Sequence, residues 1–135
     1  MRSEVLMLDT SDRDLTDITG DVSSFAQSEG GDGLVHVFAL HATAGIALME
    51  TGSGSEEDLR RTVDRLLPRD DRYVHSHGSK GHGADHVLPA FISPSLTVPV
   101  IGGKLQLGTW QSVVFVDTNS DNPTRRLRLS FIASD

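Results

Sequence analysis

Apolar residues recur along the chain at two spacings, one that suits strands and one that suits helices. Residues 4–8 form a short strand candidate. From Ser11 onward, Leu15, Ile18, Val22, Phe25 and Ala26 fall at helical intervals, which predicts a helix with Ser11 or Asp12 as its N-cap. Gly20 lies inside that stretch, at a cost of about 1 kcal/mol relative to Ala. Residues 34–40 and 45–50 are rich in strand formers and are joined across His41-Ala42-Thr43-Ala44. A second helix begins at Ser55, where Ser55 and Asp58 have capping-box spacing and Glu56 and Glu57 complement the helix dipole. Its buried stripe is expected to be Leu59, Val63, Leu66 and Leu67, and Pro68 ends it. Residues 69–84 are polar and glycine-rich, and 86–92 read as a short helix. Strands follow at 95–101, 104–116 and 125–132, with turns at Gly102-Gly103 and at 119–123. The order is neither a repeating βαβ pattern nor pure β. It predicts one α+β domain over residues 1–135, a sandwich of mainly antiparallel strands with helices packed on one face.

Composition narrows the chemistry. Hydrophobic residues make up 37 % of the 135 residues, a modest share that suits a chain burying further surface between subunits. There is no cysteine, which excludes disulfides and thiolate ligands, so a transition-metal site must draw on His, Asp and Glu. No stretch approaches the roughly 20 apolar residues of a membrane helix. The apolar run at the N-terminus is too short for a signal peptide, so a cytoplasmic protein is expected. The net charge of −7 disfavours nucleic acid as a partner. Arg60, Arg61 and Arg65, and likewise Arg125, Arg126 and Arg128, read as solvated surface.

The six histidines stand at 36, 41, 75, 77, 82 and 86, four of them between 75 and 86. Imidazole is the natural ligand for zinc in a chain without cysteine, and catalytic zinc sites use three protein ligands and one open position. His82 and His86 would share a helix face, although Gly81 and Gly83 argue against a helix there. His75 and His77 would share a face in extended chain. Asp85 is a candidate to orient an imidazole through its second nitrogen. The alternative is a polar loop with solvated histidines, and the spacing matches no standard zinc motif. His41 lies at a strand end, where functional groups are displayed, whereas His36 reads as structural or surface. Thr51-Gly52-Ser53-Gly54-Ser55 enters a helix and could bind an anion, but it lacks a P-loop ending and capping accounts for Ser55. Trp110, taken as mid-strand, is expected to pack in the core or at an interface; the role of Gln111 is open.

Several segments, in order along nearly the whole chain, resemble the YjbQ-like family, whose members are often described as secondary thiamine-phosphate synthases. They are His41-Ala42-Thr43-Ala44, Glu50, Tyr73-Val74-His75, Ala84-Asp85-His86-Val87-Leu88, Pro94-Ser95-Leu96-Thr97-Val98-Pro99-Val100 and Leu107-Gly108-Thr109-Trp110-Gln111. The resemblance implies an α+β sandwich assembled as a homotrimer, with a site near the subunit boundary and His41, His75 and His86 as metal ligands. It implies a divalent metal, zinc in preference to magnesium, and a small phosphorylated substrate. The implied reaction joins a pyrimidine diphosphate to a thiazole phosphate and releases pyrophosphate. His41, Glu50 and Gln111 are the catalytic candidates under this reading, with Thr43, His77, Lys80, His82, Thr109 and Trp110 binding substrate. Arg72 is a further source of positive charge. The chain departs from the family at Ser76-His77, where many relatives carry Asn and Asp, and at His82, where many carry Asn, giving two extra imidazoles. Two other functions compete: a metal-dependent hydrolase with Glu50 or Asp85 as base, and a non-catalytic trimeric binding protein.

Overall fold

The computed structural model describes all residues, 1–135. In chain order the elements are β1 (Arg2–Asp9), β2 (Leu15–Asp17), α1 (Thr19–Glu29), β3 (Gly33–Ala39), β4 (Ala44–Met49) and α2 (Ser55–Leu66). They continue with α3 (His82–Phe91), β5 (Ser95–Ile101), β6 (Lys104–Leu105), β7 (Ser112–Asp117) and β8 (Thr124–Ala133). The strands form two antiparallel sheets, one ordered β1-β8-β3-β5-β6 and the other β2-β7-β4. This is the α+β sandwich that the sequence predicts. No helix is long and apolar enough to cross a membrane.

Alternation along the strands decides which side chains meet between the sheets. Val35, Val37 and Ala39 of β3 and Leu127, Leu129 and Phe131 of β8 face Ile46 of β4 and Val113 and Phe115 of β7. Helix α1 adds Val22, Phe25 and Ala26 to this main core. A second core lies behind the smaller sheet, where Val114 and Val116 of β7 meet Ala84 and Leu88 of α3 and Leu67, just past α2. On the outer side of the larger sheet Met7, Leu34, Phe38 and Ile132 are exposed.

Four local expectations need correction. The first helix starts at Thr19, not near Ser11, because Leu15–Asp17 pairs with β7 and strand pairing outweighs the helical periodicity. Its start is fixed instead by Asp17, whose Oδ1 accepts the Thr19 N–H at 2.9 Å and hydroxyl at 2.6 Å. At α2 the cap is Gly54 in the left-handed region, and Glu56 Oε1 accepts the Gly52 N–H at 2.7 Å, so the Ser55–Asp58 capping box does not form. Leu66 is exposed rather than part of the buried stripe. The long strand expected at 104–116 is interrupted: Gln111 N–H donates to Gly108 O at 3.0 Å, and its Oε1 accepts the Gly108 N–H at 2.8 Å. Trp110 therefore stands on a turn, 74 % exposed, rather than packed in a strand. The Gly102-Gly103 turn is as expected, with φ of 56° and 75° in a two-residue hairpin that only glycine enters freely.

These placements separate two aromatic residues by their energetic weight. Phe115 is fully buried at the junction of the sheets, so Phe115→Ala should lower the unfolding free energy by about 3–5 kcal/mol. Trp110→Ala should stay within about 0.5 kcal/mol, as for a surface site. Urea unfolding of both variants measures this, and equal losses would contradict the placement of Trp110.

Candidate metal centre

Helix α3 begins at His82 despite its two glycines, and the glycines explain why. Gly81 caps it at φ 82°, and a Cβ on Gly83 would meet Tyr73 Cβ at 2.4 Å and the His75 carbonyl at 2.6 Å. The glycine lets the 73–75 segment lie directly on the first turn of the helix. His82 and His86 consequently share one face, with their Nε2 atoms 2.9 Å apart. His75 joins them from the loop, its ring centroid 5.1 Å from that of His82 and 4.2 Å from that of His86. Ligand nitrogens of His75, His82 and His86 all lie within 4.8 Å of one another. The His77 ring stands beside this trio, 4.1 Å from His75 and 4.9 Å from His82.

Supporting groups fix the cluster. Asp121 Oδ2 lies 3.1 Å from His82 Nδ1 and accepts the Ser79 hydroxyl at 2.9 Å. These contacts and the Ser79 N–H hold the Asp121 carboxyl below its ordinary range. A carboxylate at Nδ1 favours the His82 tautomer protonated there, in which Nε2 is the ligating nitrogen. Two nitrogens on one tetrahedral zinc stand about 3.3 Å apart, given Zn–N of about 2.0–2.1 Å. The His82–His86 pair therefore needs to open by only a few tenths of an ångström, and the donor set fits such an ion. Desolvation, followed by neighbouring imidazoles, lowers the pKa of both His75 and His86, which favours the neutral, ligating form.

Asp85 does not orient a histidine. It is fully buried, paired with Arg69 and accepting the Thr118 hydroxyl at 2.7 Å. That pairing ties the chain after α2 to α3 and to the end of β7, and Asp121 takes the orienting role instead.

His41 lies outside the trio. Its Nε2 accepts the Arg126 N–H at 2.8 Å, and its Nδ1 faces Arg125 Nη1 at 3.4 Å, so neither nitrogen is free to ligate in this chain. Arg125, expected at the surface, is 4 % exposed and pairs with buried Asp117 while reaching Thr43 Oγ1 at 3.4 Å. Burial pushes the Asp117 carboxyl up, with Arg125 opposing it. From Asp117 the network continues through the Asn119 N–H to the Asn119 side chain, 3.2 Å from His82 Nδ1. His41 is thus connected to the cluster without belonging to it.

The remaining candidates divide between two ends of the smaller sheet. Thr43, Lys80 and the histidine cluster lie toward the end of β7 at Asp117, since Ala44 pairs with Asp117. Met49 pairs with Ser112, so Glu50 and the Thr109-Trp110-Gln111 turn sit at the opposite end. Six strand residues at about 3.3 Å each separate the two groups by roughly 17–20 Å. Arg72 is held by Asp70 at 2.8 Å. His36 bonds Thr97 at 2.9 Å on the larger sheet, a structural role as expected. Arg125 shares its parity with Leu127 and Leu129, a signal that already places it on the buried face.

Known proteins share this fold. The profile described as "UPF0047 protein YjbQ-like" matches residues 4–134. The chain belongs to the YjbQ-like UPF0047 family. It is 60 % identical over 132 residues to UPF0047 protein Rv2556c of Mycobacterium tuberculosis, covering 98 % of each chain. It is 36 % identical over 131 residues to a UPF0047 protein of Methanothermobacter thermautotrophicus, covering 95 % of this chain and 90 % of that one. A solved hypothetical protein from Aeropyrum pernix superposes with a TM-score of 0.87 at 30 % identity, covering 99 % and 100 % of the two chains. A YbjQ-like protein of unknown function from Sulfolobus solfataricus shares the fold, with a TM-score of 0.90 at 23 % identity and coverage of 98 % and 97 %.

Two outcomes follow from the geometry. Gly83→Ala gains up to about 1 kcal/mol of helix propensity, yet its methyl collides with Tyr73 and the His75 backbone. Cobalt or zinc titration should show weakened binding in the variant, and unchanged binding would show that the 73–75 contact does not build the cluster. The second concerns His41, whose pKa is lowered by burial and by Arg125 and Arg126. Its unfolded value is about 6.5, so between that value and the lower folded one the unfolded chain binds more protons. The stability it contributes is present above pH 6.5 and is lost as pH falls through the folded value. Urea midpoints in chelator-treated buffer should drop from pH 7.5 to 5.5, and less so for His41→Gln. An equal drop in both would exclude His41 as a source.

Proposed function

We propose that this YjbQ-like protein is a metal-dependent enzyme acting on a small phosphorylated substrate, with His75, His82 and His86 as the metal-holding set. The observation that carries the reading is the convergence of three imidazole nitrogens within 4.8 Å, one of them oriented by a carboxylate. An all-nitrogen set favours zinc over magnesium. When bound, such an ion supplies positive charge to a phosphoryl or pyrophosphoryl group. Beside the trio, His75, Ser79, Lys80 and His82 border a cleft of about 120 Å³, where Lys80 offers a positive charge to an anion and Asp71 and the Arg72-paired Asp70 also line the wall.

Among reactions of phosphorylated compounds, the transfer implied by the family resemblance fits these residues best: a pyrimidine diphosphate and a thiazole phosphate combine with loss of pyrophosphate. That chemistry calls on cations at the departing group, which an ion held by His75, His82 and His86 would supply together with Lys80 on the adjoining cleft. A hydrolase calls on a free base, and neither named candidate serves: Asp85 is locked to Arg69, and Glu50 is at the far end of β4. Self-association as a homotrimer belongs to the same reading, supported by exposed Met7, Leu34, Phe38 and Ile132 on the uncovered sheet face.

Elemental analysis of tag-free protein should find about one zinc per chain, absent in His86→Ala. Asp121→Ala should retain the ion with affinity reduced about 10–100-fold, the usual effect of losing an orienting partner. Pyrophosphate release from the two substrates should disappear in His75→Ala and His86→Ala. A metal-free parent, or release unaffected in both variants, rules the reading out.

A further inference from the structure

We infer that His77 is a fourth, exchangeable imidazole of the centre: it closes an all-nitrogen set around a bound late transition metal and gives way to an incoming anion. The inference rests on the metal reading above and concerns which ligand moves. Three histidines are held by the fold. His82 and His86 sit on one helix face, His82 is fixed by Asp121, and the His75 backbone is pressed onto Gly83. His77 is exposed on the loop, and its ring already lies 4.1 Å from that of His75 and 4.9 Å from that of His82.

The main chain next to His77 is held against the cluster. Gly78, at φ 84°, approaches His82 so closely that a Cβ would meet Nδ1 at 2.9 Å and Asp121 Oδ2 at 3.3 Å. The backbone is thus fixed beside the centre while the His77 side chain remains outside the group of three nitrogens that lie within 4.8 Å of one another. Rotation about its side-chain bonds is the motion needed to bring one nitrogen in. Closed zinc sites use four protein ligands and open ones three, so one mobile imidazole interconverts the two states. The same loop carries Ser76, Ser79 and Lys80 along the cleft, which Asp70 and Asp71 also border, so an anion that reaches the ion along Lys80 arrives next to His77 and can displace it. A four-imidazole set also discriminates against magnesium and calcium, which take oxygen ligands.

Cobalt(II) is a suitable probe, because its visible spectrum distinguishes four-coordinate nitrogen sites from hydrated ones. Metal-stripped parent and His77→Asn would each be loaded with cobalt(II) and titrated with inorganic phosphate. The parent should show the intense bands of a closed four-coordinate site. The variant should bind cobalt more weakly and show an altered spectrum. Phosphate should bind the variant roughly tenfold more tightly or better, as expected if the open form in the parent is populated at about 10 % or less. Matching thermal unfolding of the metal-free proteins would show that the variant is folded. Identical spectra and identical phosphate midpoints would overturn the role of His77 and leave the three-histidine site standing. Failure of both proteins to take up cobalt would overturn that site and the role of His77 together.

Discussion

Strand β7 is buried on both faces, and that constraint organises the molecule. Val113 and Phe115 point into the core between the sheets, while Val114 and Val116 point the other way, toward α2 and α3. A strand in this position cannot shift register by one residue without exchanging two packed sets of side chains. Its neighbours inherit that rigidity. The main chain of Val113 accepts from the Ile18 N–H and donates to Thr19 Oγ1, which sets where α1 begins. Its other end delivers Asp117, Thr118 and Asn119 to the polar side of the molecule at fixed heights.

Those three residues hold the site together. Asp117 takes the buried guanidinium of Arg125, Thr118 reaches Asp85, and Asn119 meets His82. Burying two carboxylates is costly unless each is paired and hydrogen-bonded, and both are. The result is a charged scaffold behind the imidazoles, with the largely exposed 76–80 loop in front.

Strands β3, β5 and β8 were readable because their apolar alternation coincides with their burial, and α2 through Leu59 and Val63, which pack partly buried against the second core. The start of α1 was not, since Leu15 and Ile18 suit a helix as well as they suit an edge pairing with β7. The histidine cluster was visible as a concentration of ligands, but its membership was not. Gly81 and Gly83 argue in sequence against a helix that carries both His82 and His86, and only the approach of Tyr73 and His75 shows why glycine is required at 83. His41 was drawn in by resemblance, and the arginines that engage both its nitrogens come from a strand some 85 residues later. Asp121 lies 39 positions from the ring it orients, too far for any local pattern to reveal.

Strand order has a consequence for how the chain acquires its structure. Strand β8 follows every other strand in sequence, yet it lies between β1 and β3 in the larger sheet. During synthesis the sheet therefore lacks an interior member until the final stretch emerges, and β1 waits unpaired throughout. Pairings of such long separation form slowly and leave strand edges exposed in the interim. Arg125 lies on that same strand, so the scaffold behind the histidines cannot close before β8 has been synthesised.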